Sequence, residues 1–146
     1  MIVLGPAAAP ALATLHRLAF DEPWSAAEFT ALLDSPGVFA LSADVGDETA
    51  GFILCRLAAD EGEVLTLAVA PSLRRGGVAS GLLARALDIL ADRGAATAFL
   101  EVAIDNPGAV ALYQRYGFVR VGLRKAYYSR PCGAVDAIIL RRDLNR

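Results

Sequence analysis

The sequence predicts an α/β domain (α+β by some schemes), a mixed central sheet of about seven strands flanked by about four helices on both faces. Three observations carry that reading. From Val78 to Asp92, apolar residues recur at Ala79, Leu82, Leu83, Ala86, Leu87 and Leu90, the single stripe of a helix lying on a sheet. The following "ATAFLEVAI" is almost continuously apolar, as expected of a strand buried on both faces. The preceding "GVFALSADVGDETAGFILCRLAADEGEVLTLAVAP" reads as a three-strand meander with turns marked by Gly46-Asp47 and Gly62. No linker or repeat divides the chain, so residues 1–146 are expected to form one domain.

The remaining elements come in order. Ile2–Leu4 is a short strand and Ala8–Phe20 a helix. "SAAE", Ser25 to Glu28, is a capping box opening a second helix that ends near Asp34. Gly94 stands where a C′ glycine stops the long helix. Asn106 caps a short helix with Pro107 at its first position, running to Tyr116 and ending at Gly117. "FVRVGLRKAYY" and "AVDAIILRRDL" close the chain as an antiparallel pair of strands.

Composition narrows the function classes. Apolar residues make up 55% and charged residues 21%, a globular balance, and the net charge of −2 gives no electrostatic reason to expect nucleic acid as a partner. Two cysteines, Cys55 and Cys132, are too few for a disulfide framework or a metal cluster and fit a reducing compartment. His16 is the only histidine, which removes His-based metal sites; no metal is expected, and His16 reads as a surface or boundary residue. The apolar start lacks a positive n-region and is interrupted by Pro6 and Pro10, and no stretch reaches membrane-span length, so the protein reads as soluble and cytoplasmic with no membrane partner. Asp60-Glu61-Gly62-Glu63 reads as a solvated hairpin tip.

"SLRRGGVASGLL" is the most informative stretch. It lacks the Lys-Ser/Thr of a P-loop and the spacing of a dinucleotide fingerprint. One reading is a plain strand-to-helix turn with two solvated arginines. The other is a phosphate cradle. The segment enters a helix N-terminus with unpartnered N–H groups, Gly76 and Gly77 keep side chains out of an anion's way, and Arg74 and Arg75 add charge.

Two further residues stand out. Glu101 is the only charged residue between Arg93 and Asp105; inside such an apolar strand it must pair with an arginine, point to solvent or open onto a cavity. Tyr113, on the short helix, is either core packing or a phenol placed to donate a proton.

Arg74-Arg75-Gly76-Gly77-Val78-Ala79 resembles the Q/R-x-x-G-x-G/A pyrophosphate loop of the GNAT acetyltransferases, whose element order the chain also matches. "FLEVAIDNPGAVALYQRYGF" is similar to the second half of that family. "EPWS" and "RKAYYSRPCGAVDAIIL" resemble its RimI-type ribosomal-protein-alanine N-acetyltransferases, with two departures: Ser80 where relatives often carry a basic residue, and Val135 where they often carry an acid.

The resemblance implies the GNAT fold and acetyl-CoA as acetyl donor. It also implies a protein N-terminus as acceptor, the alanine of a small-subunit ribosomal protein, and a monomer or weak homodimer. Glu101 becomes the general base and Tyr113 the acid. Leu67, Ala68 and Val69 line a gap between diverging strands and offer an amide to the thioester carbonyl. The loop from Arg74 to Ser80 (Arg74, Arg75, Gly76, Gly77, Val78, Ala79, Ser80) holds the diphosphate, and Asn106 contacts the coenzyme A arm. Pro23 and Trp24, with Tyr127 and Tyr128, flank the acceptor's first residues; tandem tyrosines in one strand point to opposite faces, so at most one of the two is expected to line the pocket. A small-molecule amine as acceptor and a non-catalytic acyl-CoA-binding module are the rival readings.

Overall fold

The computed structural model describes residues 1–74 and 76–144. Its strands are β1 (Ile2–Leu4), β2 (Val38–Val45), β3 (Glu48–Ala58), β4 (Glu61–Val69), β5 (Thr97–Ala103), β6 (Val119–Tyr128) and β7 (Val135–Asp143). They form one sheet in the order β1-β2-β3-β4-β5-β7-β6. Every pairing is antiparallel except β4 with β5. The helices are α1 (Ala9–Ala19), α2 (Ala26–Asp34), α3 (Val78–Asp92) and α4 (Pro107–Arg115). α3 crosses over between the two parallel strands, because parallel neighbours cannot be joined by a tight turn.

Local chemistry sets these bounds. The capping box of α2 forms as expected: Glu28 N–H donates to Ser25 Oγ at 3.1 Å and Ser25 N–H to Glu28 Oε1 at 3.2 Å. The stripe on α3 is buried from Leu82 to Leu90. α1 starts one residue late and ends one early, because Pro6–Ala8 is a 3-10 turn; α4 ends at Arg115 rather than Tyr116.

Three expectations need correction. Gly62 is not the turn, which falls at Ala59-Asp60 with Ala59 at φ +53°; Gly62 lies inside β4, where a Cβ would come within 2.9 Å of the Leu90 side chain. Glu63 is likewise no solvated tip residue, since Arg56 Nη2 pairs with its Oε2 at 2.9 Å. β5 is covered on one face only. Ala98, Leu100 and Val102 join the core under α3 and α4, while Thr97, Phe99 and Glu101 are half-open, because α1 and α2 cover only the β2–β4 half of the other face.

The feature that positions the site is a bulge. Leu54 pairs with Thr66 but Cys55 pairs with Val64, leaving Leu65 as an extra residue. A bulge bends its strand and reverses the facing of the residues beyond it. Val64 therefore packs in the α3 core while Thr66 and Ala68 face α1. Just there β4 leaves β5: the two pair only over Glu61–Val64 and Thr97–Leu100. Beyond that, β4 stays with β3 and β5 with β7, so the strands part in a V.

Candidate active site

The V opens into a cleft of about 690 Å³. Leu67, Ala68 and Val69 form one wall, Arg74, Gly77, Val78, Ala79 and Ser80 the mouth, and Asn106, Gly108, Ala109, Leu112, Tyr113 and Arg115 the side belonging to α4. Nearly all the residues expected to hold a diphosphate-bearing thioester thus meet in one cavity. Gly76 adjoins the mouth without lining it, and Arg75 lies outside the described residues.

The mouth is a helix N-terminus, where the dipole and unpartnered N–H groups favour negative charge. Gly77 is the N-cap of α3 at φ +79°, a left-handed conformation that glycine adopts without a Cβ penalty. No side chain caps α3, so its first N–H groups are available to a ligand. Arg74 folds over the same place, its Nε donating to the Val69 carbonyl at 3.4 Å. On the other side Asn106 spends its carbonyl oxygen on the Ala109 N–H at 3.2 Å, capping α4.

Tyr113 is almost wholly buried, packed edge-on against Phe118 at 5.9 Å. Burial, then the neighbouring Cys55 and Tyr128, push its phenol well above the usual value, so it stays protonated. Cys55 is itself buried and its thiol is pushed up by desolvation, the opposite of what activates a nucleophile.

Glu101 lines a second cavity of about 320 Å³, with Arg56, Glu63, Phe99, Arg124 and Ile139 among its walls. Two of the three alternatives read from its sequence setting are realised: it opens onto a cavity and is paired, its Oε1 3.0 Å from Arg124 Nε. Sequence reasoning missed Arg124. The cross-strand register carries the signal, because Glu101 pairs with Ile139 and Arg124 with Ala137, placing acid and arginine on one face.

Both tyrosines, not one, converge on Glu101. Tyr128 Oη lies 3.4 Å from the Glu101 carbonyl; burial and then the Glu101 charge push the Tyr128 phenol up to about 12. Burial and then the same carboxylate raise the Tyr127 phenol. The expectation of opposite faces fails because the β6–β7 register slips between Arg124 and Tyr128 and Ala126 is left-handed at φ +53°. Asp136 holds that kink, its Oδ1 accepting the Ala126 N–H at 2.8 Å.

Pro23 is exposed, while Trp24 is half-buried against the α1–α2 core. The α1–α2 loop is tied to the β6–β7 tip through Arg130, whose Nε is 3.0 Å from Asp105 and 4.0 Å from Asp21. His16 is corrected from boundary to core: it is 3% exposed, because its ring is stacked between Phe20 and Trp24 and hydrogen-bonded on both nitrogens.

Comparison with known proteins matches this architecture. The chain is 41% identical over 127 residues to the N-alpha-acetyltransferase RimI of Mycobacterium tuberculosis, covering 84% of this chain and 77% of that one. It is 33% identical over 133 residues to the ribosomal protein bS18-alanine N-acetyltransferase of Escherichia coli K12, covering 90% and 88%. It spans only 34% of the length of a Mycobacterium leprae protein to which it is 39% identical. A crystal structure of the ribosomal-protein-S18-alanine N-acetyltransferase from Escherichia coli superposes with a TM-score of 0.92 at 29% identity, covering 99% and 94% of the two chains. Arabidopsis thaliana NAA60, solved in complex with acetyl-CoA, shares the fold at a TM-score of 0.84 and 18% identity, covering 99% and 98%. The model of the acetyltransferase (GNAT) family matches residues 9–118, and the chain belongs to that family of N-acetyltransferases.

Proposed function

We propose that the chain transfers the acetyl group of acetyl-CoA to the N-terminal alanine of a small-subunit ribosomal protein of the bS18 kind. The observation that carries this reading is the cleft at the V, walled by a free strand edge and a bare helix N-terminus, with the Glu101 carboxylate lining a separate cavity just past the last β4–β5 pairing. The cleft residues fit a long donor. The α3 N-terminus and Arg74 take a diphosphate, Asn106 and the parting edge of β4 take an amide-bearing arm, and the donor supplies an activated acyl group.

The reaction is direct. An α-ammonium has a reference pKa near 8, so a modest base suffices; Glu101 takes its proton. The amine attacks the acyl carbon, and a backbone amide among Leu67, Ala68 and Val69 stabilises the oxyanion by about 3 kcal/mol. As the carbon–sulfur bond breaks, Tyr113 gives its proton to the departing thiolate; the attacking nitrogen sheds its second proton to water to become the amide, and the phenolate is reprotonated from water. No enzyme nucleophile is needed, in keeping with the deactivated Cys55. Pro23, Trp24, Tyr127 and Tyr128 flank the acceptor chain as it approaches Glu101.

The 41% and 33% identical relatives, named as an N-alpha-acetyltransferase and a ribosomal protein bS18-alanine N-acetyltransferase, support this acceptor over a small amine. Incubation with acetyl-CoA and peptides beginning with the bS18 N-terminus should yield product acetylated on the α-amine. Turnover of small amines alone would favour the rival acceptor, and binding of acetyl-CoA without any turnover the non-catalytic module.

A further inference from the structure

We propose that His16 is a positioning residue that fixes the acceptor-side loop to the parting strand β4. Nothing in the chemistry above uses this imidazole, yet it is one of the most constrained side chains in the molecule. Its Nδ1 accepts the Trp24 N–H at 3.0 Å. That N–H is purely a donor, so Nδ1 is bare and the hydrogen sits on Nε2, which faces Thr66 Oγ1 at 3.1 Å. Thr66 directly follows the bulged Leu65, at the point where β4 turns away from β5. Trp24 lies in the loop between α1 and α2, whose first residue, Phe20, lines the donor cleft. The ring also stacks on Phe20 at 4.2 Å and on Trp24 at 5.1 Å. One side chain therefore ties the strand that borders the donor to the loop beside the acceptor, and only its neutral form with hydrogen on Nε2 makes both bonds.

This rests on the reading that the Pro23-Trp24 loop touches the acceptor, and the test separates the two. His16→Asn keeps an oxygen near the Nδ1 position and preserves the bond to the loop. His16→Gln reaches only toward the Nε2 position and loses it. Both lose the ring, so both lower Tm, and a merely structural role would treat them alike. The positioning role predicts an acceptor-peptide KM about tenfold higher for His16→Gln and within about twofold of wild type for His16→Asn, as a lost hydrogen bond to a part-buried donor implies. The acetyl-CoA KM should stay unchanged in both. Amide exchange at Trp24 should be slow in wild type and His16→Asn and fast in His16→Gln. Equal exchange in the two variants overturns the anchor itself. Split exchange with equal acceptor KM overturns its role toward the acceptor and locates the error in the loop reading.

Discussion

Glu101 and Tyr113, proposed as base and acid, sit in contrasting surroundings. The acid sits on the half-open face of β5 beside Arg124, while the phenol is buried on α4 and kept protonated. Glu101→Gln is expected to lower kcat about a hundredfold or more with little change in Tm, since it removes proton transfer and keeps the side chain's shape. Tyr113→Phe should also lower kcat while leaving acetyl-CoA KM nearly unchanged. Steady-state kinetics with thermal melts check both, and unaltered kcat in either variant would remove that residue's role.

His16 makes a separate prediction for stability. Burial lowers its pKa from 6.5 to about 4, with the Glu28 charge opposing weakly. The unfolded chain therefore takes up a proton below about pH 6.5 that the folded chain refuses until about pH 4. This contribution is complete above pH 6.5 and is lost as pH falls through that window, about 2 kcal/mol by pH 5. Urea unfolding at pH 7 and pH 5 should show that extra loss in wild type and not in His16→Asn.

At the scale of elements, the regular periods were legible and the irregularities were not. The α3 stripe, the Ser25–Glu28 box and the Asn106-Pro107 start all reappear, because each depends on neighbours within one turn of helix. In "EGEVLTLAV" the adjacent apolar Val64 and Leu65 interrupt the alternation, but only pairing with β3 shows that Leu65 is the extra residue of a bulge. The convergence of Tyr127 and Tyr128 was missed for the same reason, since it depends on Ala126 and Asp136, ten residues apart. The burial of His16 needed Thr66 from fifty residues away.

These irregular elements are testable. Ala126→Gly should stabilise the protein by about 0.5–1 kcal/mol by relieving a left-handed alanine, read from denaturant midpoints. Asp136→Ala should loosen the kink and reduce turnover as the tyrosines drift from Glu101. At the cleft mouth, Gly77→Ala has open space for its methyl but imposes φ +79° on alanine. A cost of about 1 kcal/mol in stability and a raised acetyl-CoA KM are expected.

For the molecule as a whole, the sheet carries two cores and one fault line. One core lies under α3 and α4 and the other under α1 and α2, and the V between β4 and β5 is where the sheet parts. Among the described residues no helix is long and apolar enough to cross a membrane, and no cluster of metal-ligating side chains occurs. The resemblance to acetyltransferases was readable because the loop and the residues after β5 are contiguous in sequence. The cleft itself was not, because it arises where strands distant in sequence separate.

That separation is the claim on which the rest depends, and amide hydrogen exchange with and without acetyl-CoA tests it most directly. Added acetyl-CoA should slow exchange at Leu67, Ala68, Val69 and the first turn of α3, and leave β1 and β2 unchanged. Protection confined to other segments, with the β4 edge exchanging as fast as before, would contradict it.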